Sequence, residues 1–591
     1  MEVSLQDLYL AYRQAKIALF FERRGVGKID LAEFEAELPD RLRRLKRELD
    51  RGNWFDDIDP GEVWIVPKRM RDSNDDDDPV VDIGASRHGQ RRRRLDVQVR
   101  LGPRPEFAII EVLYLWRFGP FLDSILGNSS VGYRLDLRDG ELSRSRRWLF
   151  EYWPRQYQKY RTEPLHEAIE CLRDRDSSVC ILSADLASFY NTIDPSFLLS
   201  DGFVAAGRRN LPENVTFPDD EYQTATRSLL NAYARFREEA GARLGFSFDT
   251  GVPIAALTSR LVANVALETL DSYVDARDDV ICYRRYVDDM VIVAETEEPL
   301  EFEEGLEKFF PLHHIPEDES TYLLKTEDLH REGSEFQLQR RKVKIHNLNG
   351  IPGQDFVQAV KSDFEQVVSA NRAFLDTPTL LEDGASHLIR VSENEGSPLR
   401  VLRNADRSKL ERFSLSTSLA TLERVSTMVE EADARQLIRD TLEKIGRIVK
   451  AEGNWAENLR TLLRLLKLAI STRDWESCSE LLEPMERRWG TIEVLRSNIE
   501  ALYFRNRKID PSRTRPWVWL RNYLHFRRLE AICAAIPVDV RPTHLTTWLP
   551  DGLTVETRSL GAIALTNRAE KLARADLRAK DREADPDRKS V

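Results

Sequence analysis

Cysteine is scarce in this chain. Its 591 residues include five: Cys171, Cys180, Cys282, Cys478 and Cys533. The number is odd and no two sit at metal-ligand spacing, which argues against a disulfide scaffold and against a zinc module. Long apolar runs are missing as well. No stretch approaches the roughly 18–20 apolar residues that cross a bilayer, and the first residues lack the basic-then-apolar pattern of a secretory signal. The expectation is a soluble, cytoplasmic protein without a membrane partner. Nor is there an excess of positive charge: 88 Lys+Arg stand against 100 Asp+Glu, a net −12 that, spread evenly, would disfavour nucleic acid.

The charge is not spread evenly. Arg87 to Arg104 holds seven arginines and one acid, and Arg144 to Arg161 holds six basic residues and one acid. The second stretch interleaves Trp148, Phe150, Tyr152, Trp153, Tyr157 and Tyr160. Cations neutralise phosphates and aromatic faces stack bases, so the mixture suits a nucleic-acid channel. An amphipathic helix with its aromatics turned to the core fits the same residues. At 41% hydrophobic the chain can bury a core, and its length exceeds the about 250–300 residues at which single cores stop growing.

Helical spacing marks residues 1–53, with Leu8, Tyr12 and Ala15 on one stripe and Leu38, Leu42, Leu45 and Leu49 on another. Trp64 to Pro67 predicts a short strand, and the acidic run Asp72–Asp78 before Pro79 predicts a solvated loop. Residues 105–127 return to a helical pattern. Strand signals dominate 179–348, broken by one long helix at about 254–274. Beyond 355, Ile438, Leu442, Ile445 and Val449, and then Ile492, Leu495, Ile499 and Leu502, step at helical intervals. This predicts an all-α array of stacked helix pairs over 356–575, like a HEAT-type solenoid, and a charged, disordered tail over 576–591.

The residues that carry chemistry begin at Tyr286-Val287-Asp288-Asp289, where apolar residues flank two aspartates as in a β-hairpin with carboxylates at its turn. An Asp-Asp turn alone is common. Its partner is Val179 to Asp185, an apolar strand ending in one aspartate, with the aromatic Tyr190 five residues on. Two strand-end carboxylate sites can hold two Mg²⁺ ions roughly 3.5–4 Å apart, and carboxylates are the ligands magnesium prefers. Between them, Gly251-Val252-Pro253 opens a helix interrupted by the polar Ser259 and Asn264.

In order and spacing these segments resemble the reverse transcriptase family. Asp185 sits as in its motif A, Gly251–Asn264 as in motif B and Tyr286–Asp289 as in motif C. Leu323–Thr326 resembles motif D, while Phe336–Gln339 with Lys342–Ile345 resembles the motif E hairpin. Val66-Pro67-Lys68 and Val131–Arg134 resemble fingers elements. The resemblance spans residues 1–350 and implies an α+β fold, with fingers and an antiparallel palm sheet over 1–355. It implies Asp185, Asp288 and Asp289 as catalytic metal ligands for two Mg²⁺, and Lys325 as the lysine that meets departing pyrophosphate. Tyr190 would exclude a 2′-hydroxyl and so select dNTPs. Lys68 and Arg94 would grip the triphosphate, Gly251, Pro253 and Asn264 would line the substrate, and Lys342 and Lys344 would touch primer phosphates.

One departure narrows the family. Where the group II intron and retron enzymes carry Gln-Gly after Gly-x-Pro, this chain has Ile254-Ala255, and an aliphatic side chain cannot make glutamine's hydrogen bond to the templating pair. With a helical C-terminal region this resembles the abortive-infection, antiphage-defence reverse transcriptases of bacteria. That resemblance implies DNA synthesis without a template, primed on a tyrosine of the protein, in homo-oligomers. Arg521 to His525 has the wrong spacing for the nuclease motif of some relatives and is expected on a helix surface. Two alternatives stay open: a conventional RNA-templated, primer-dependent enzyme of retron or CRISPR-linked type, and a catalytically silent nucleic-acid-binding scaffold.

Overall fold

A computed structural model describes residues 3–22, 28–52, 54–72, 93–173, 178–211, 217–313, 321–358, 361, 455–512 and 514–535, with 419, 423, 435, 436, 438 and 439. The acidic run beyond Asp72, Arg91–Arg92, most of 359–454 and the tail fall outside these residues.

Three helices open the chain: α1 (Leu5–Phe21), α2 (Lys28–Ala36) and α3 (Leu38–Asp50). Ser4 caps α1 by accepting the Asp7 N–H, and the Asp7 carboxylate accepts in return from the Ser4 N–H. Leu8, Tyr12 and Ala15 are buried, as their spacing requires. β1 (Gly61–Asp72) and β2 (Arg93–Pro103) follow as a long antiparallel pair, then α4 (Pro105–Ser124), whose largely apolar surface is buried. Short β3 (Leu137–Arg138) and β4 (Glu141–Leu142) lead to α5 (Trp153–Cys171). β5 (Ser178–Asp185), α6 (Asp201–Arg209), α7 (Asp219–Leu244), α8 (Leu257–Ala266), α9 (Glu268–Asp275), β6 (Val280–Tyr286) and β7 (Asp289–Glu295) form the middle. α10 (Phe302–Phe309), β8 (Leu312–His313), β9 (Thr321–Leu324), β10 (Gln337–Gln339) and β11 (Lys344–Asn349) complete this part. After the gap come α11 (Trp455–Ser471), α12 (Trp475–Trp489), α13 (Ile492–Asn498), β12 (Ala501–Phe504), β13 (Arg507–Lys508) and α14 (Pro516–Ala535). The fold is mixed α+β, and no helix among the described residues is long and apolar enough to cross a membrane.

Two four-stranded sheets organise the molecule. The central sheet runs β11-β5-β7-β6, antiparallel throughout. Its alternation sorts the strands into faces. Leu182, Ala184, Met290, Ile292 and Ala294 enter the main core with residues of α8 and α9. Val179, Ile181, Val291 and Val293 pack against Leu165, Ala168 and Ile169 of α5. The other sheet runs β1-β2-β12-β13, with β12 parallel to β2.

Several expectations change. The strand at Trp64–Pro67 is the middle of the twelve-residue β1. The long helix at 254–274 is two, because α8 ends at Ala266 and the N–H of the capping Leu267 closes a tight turn onto the Asn264 carbonyl at 3.2 Å. The two halves of the expected motif E hairpin do not pair: β10 joins β9 and β11 joins β5, since a 3₁₀ turn at Arg340–Lys342 diverts the chain between sheets. Residues 356–575 are not all-helical. The stripe at 492–502 leaves the helix after Asn498, and its last member, Leu502, lies in β12. Val357, just beyond residue 355, joins the cluster under α5.

Candidate active site

β5 ends where its apolar run ends. Asp185 is its last residue and is the register partner of Asp289, the first residue of β7. Directly opposed residues have Cβ atoms about 4.5–5.5 Å apart and share a face. Asp288 stands in the two-residue loop between β6 and β7, and its carbonyl accepts the Leu186 N–H at 3.2 Å. Asp185 and Asp289, on the face that α5 also covers, and Asp288 in the adjoining turn are therefore gathered at one end of the central sheet, although 103 residues separate 185 from 288 in sequence. All three are half-buried.

The loop that holds Asp288 is strained. Val287 adopts φ 64°, a region that suits glycine, and Asp288 does not; positive φ at the first loop position alone is the pattern of a type II′ turn. What enforces it is Arg285, which is fully buried. It donates to the Val287 carbonyl at 2.9 Å, to Asn264 Oδ1 at 3.2 Å and to Asp271 Oδ1 at 2.6 Å. Tyr283, on the same face of β6, donates to Asp271 at 2.8 Å. Asn264 also holds the Gly132 carbonyl, and the 129–131 segment bonds along β6 through Val131 N–H to Arg285 O at 2.9 Å. Asn264 is thus a buried brace and does not face a substrate.

Gly251 and Pro253 are braces too. Gly251 has φ 116°, and a Cβ there would stand 3.2 Å from the Asn191 backbone, so only glycine fits. Its N–H reaches Ile193 O at 2.8 Å and the Val252 N–H reaches Tyr190 O at 2.7 Å, which ties the turn before α8 to the turn after β5. Pro253 is buried in that turn. Ala255 follows at φ 91°, another glycine-favouring conformation filled by a residue with a Cβ. The Ile254 carbonyl accepts the Leu101 N–H at 3.0 Å and so joins the turn to β2.

Cations surround the carboxylates. Lys342, on the 3₁₀ turn, bonds Asp185 Oδ2, and Lys344 opens β11 opposite Ser183, two residues before Asp185 on the same face. Lys68 sits at the bulge of β1. Desolvation and the Lys342 ammonium lower its pKa, while Asp185, Asp288 and Asp96 pull the other way. Tyr190 is half-buried; desolvation, then Tyr133 and Asp288, hold its hydroxyl well above the usual phenol range, with Arg260 and Arg100 opposing. Glu22 bridges those two arginines, 2.6 Å from Arg100 and 2.8 Å from Arg260.

Two predicted residues stand elsewhere. Arg94 bonds Asp96 at 3.3 Å and Asn506 at 3.1 Å and lies 4.4 Å from the centre of the Tyr503 ring, which places it at the seam with the C-terminal hairpin. Lys325 follows β9 with its N–H on Pro311 O at 2.8 Å, and no ion pair among the described residues joins it to the aspartates. His525, expected on a surface, is buried.

No model of a known protein family matches this chain, and no curated protein does. The site therefore has to be read from its chemistry. Three carboxylates are the oxygen donors that magnesium takes. Among the described residues, no three His, Cys, Asp or Glu side chains stand close enough to cage an ion, and one oxygen of Asp185 holds Lys342. Carboxylate oxygens are the donor type magnesium takes, and the Lys342 ammonium bonds one of them.

Sequence reasoning missed Arg285, Arg100, Arg260 and Glu22. Arg285 carried a signal: two-residue alternation puts it beside Tyr283 on the core face, where a buried guanidinium demands a carboxylate. The others depend on contacts between distant segments.

Proposed function

We propose that this chain is a DNA polymerase of reverse transcriptase type acting in antiphage defence by abortive infection, in bacterial cytoplasm. It joins dNTPs without a template, starting from a tyrosine hydroxyl of its own chain, as a homo-oligomer. The observation that carries the polymerase reading is the register of β5 on β7, which opposes Asp185 and Asp289 and sets Asp288 in the adjoining turn. The defence role, self-priming and oligomer follow from the sequence resemblance.

Two magnesium ions on Asp185, Asp288 and Asp289 would activate the attacking hydroxyl and neutralise the triphosphate. The chain's own groups do the rest. Lys68 and Lys342 put positive charge beside the carboxylates, where phosphate oxygens arrive. Tyr190, a phenol that is neutral at pH 7 even without its upward shift, would present its ring to the sugar and leave no room for a 2′-hydroxyl. Ile254 supports synthesis without a template: its carbonyl is committed to Leu101 and its side chain has no donor for a templating base.

The test is to incubate the purified protein with Mg²⁺ and labelled dNTPs, without template or primer. Label that stays with the denatured protein and is released by nuclease supports the reading. Product that forms only on a primed RNA template overturns untemplated synthesis, and no product in either case overturns the polymerase.

A further inference from the structure

Aromatic side chains run along one stripe of α5 toward the aspartates. Trp153, Tyr157 and Tyr160 recur at helical spacing, and the Tyr157 and Tyr160 rings lie 5.5 and 6.0 Å from that of Tyr286, two residues before Asp288. Arg161 covers both tyrosines, at 5.3 and 5.0 Å. Toward the N-terminus the stripe emerges into solvent. Tyr152 is 60% exposed and Trp153 36%. Among the described residues, three of the nine large hydrophobic side chains left exposed fall between 148 and 153. Arg147, Arg155 and Lys159 are exposed around them, with Glu151 as the one acid of the stretch. Tyr160 itself is buried, so the rings open to stacked bases are those at the Tyr152–Trp153 end.

We infer that the exposed Tyr152–Trp153 end of α5, with Arg155 and Lys159, is a stacking track for single-stranded DNA leading to or from the aspartate cluster. The inference rests on the polymerase reading in taking the strand to be DNA. The aromatic faces take bases of any sequence, and the cations take the phosphates between them. The exposed rings set among the cations favour this occupant over a second protein copy, whose carboxylates would meet the cations but bring no bases to stack on the rings.

The test uses the full chain carrying Asp288→Asn and Asp289→Asn, so that bound DNA is not extended, and a fluorescein-labelled twelve-residue oligothymidylate followed by anisotropy. Adding Tyr152→Ala with Trp153→Ala should weaken binding at least tenfold and leave the salt slope unchanged. Adding Arg155→Gln with Lys159→Gln should weaken it and lower the slope of log K on log salt by about 1.4, at ~0.7 per phosphate contact. Both pairs are exposed, and circular dichroism confirms that the variants fold. Binding within twofold of the parent for both pairs overturns the inference, as does loss of a dimer, by sedimentation, with oligonucleotide affinity unchanged. Wild-type protein that incorporates nothing, while these variants lose DNA binding, overturns the polymerase reading and leaves the track standing.

Discussion

Arg285 holds the Val287 carbonyl in an unfavourable turn, and it can do so because Asp271 and Asn264 satisfy its remaining donors inside the core. Breaking a buried pair by removing one partner costs about 3–5 kcal/mol, because the other charge stays buried. Arg285→Met should therefore lower the unfolding free energy, read by urea titration, by that amount, and adding Asp271→Leu should recover part of it; a loss under about 1 kcal/mol contradicts the role given to Arg285. Tyr190 makes a different prediction. Tyr190→Ala should let ribonucleotides compete, raising the rNTP-to-dNTP incorporation ratio by about tenfold or more, a change of ~1.4 kcal/mol in relative barrier; an unchanged ratio removes the ring from sugar selection. At this scale the sequence was most legible. Asp185, Asp288 and Asp289 announce themselves because each ends or starts an apolar strand run. The braces Asn264 and Gly251 were legible as residues but not in their roles, since burial and φ come from the fold around them.

The β12–β13 hairpin ties the two sheets together. β12 extends the sheet of β1 and β2, and Phe504 packs against Phe246 and Phe248, ring centres 5.8 and 5.3 Å away, in the loop leading to Gly251. At the tip, Arg505 reaches toward the Asn191 carbonyl at 3.5 Å, beside Tyr190. Removing a buried phenylalanine costs about 3–5 kcal/mol. Phe504→Ala should lower stability accordingly and raise the KM for dNTP more than it lowers kcat, because it loosens the loop that positions the Tyr190 turn. A fall in kcat at constant KM would contradict this. The hairpin was illegible in advance because Ile492, Leu495, Ile499 and Leu502 happen to keep helical intervals across a helix end. Arg505 and Asn506 close it with φ of 50° and 61°, a primed turn formed without the glycine that usually signals one. Likewise β11 pairs with the distant β5, so a local reading joined it to β10 instead.

Across the whole molecule, the C-terminal helices cover the first sheet, and His525 of α14 lies inside that packing. Its Nε2–H donates to Gly490 O at 3.2 Å and its Nδ1 accepts from Arg528 at 3.1 Å, and the Arg528 bond requires the neutral ring. Burial, then Arg528 and Arg521, depress its pKa to about 3. Unfolding lets it titrate near its ordinary value of about 6.5. The unfolded chain thus binds the extra proton between pH 6.5 and 3, and this part of the stability, fully present above pH 6.5, is lost as pH falls, at about 1.4 kcal/mol per unit. His525→Gln should flatten that slope between pH 6.5 and 5.5 in urea titrations; an unchanged slope contradicts the assignment. The α+β character and the strand-rich middle were legible from periodicity. The joining of residues 455–535 to the first sheet was not, because a parallel pairing between β2 and β12 leaves no trace in either segment alone.

The central claim is that Asp185, Asp288 and Asp289 together carry nucleotidyl transfer. Its most direct measurement is the rate of dNTP incorporation by the Asp288→Asn, Asp289→Asn variant against wild type, at equal stability. The account predicts a loss greater than about 10³-fold, roughly 4 kcal/mol of barrier, with the fold intact. Incorporation within tenfold of wild type would contradict it.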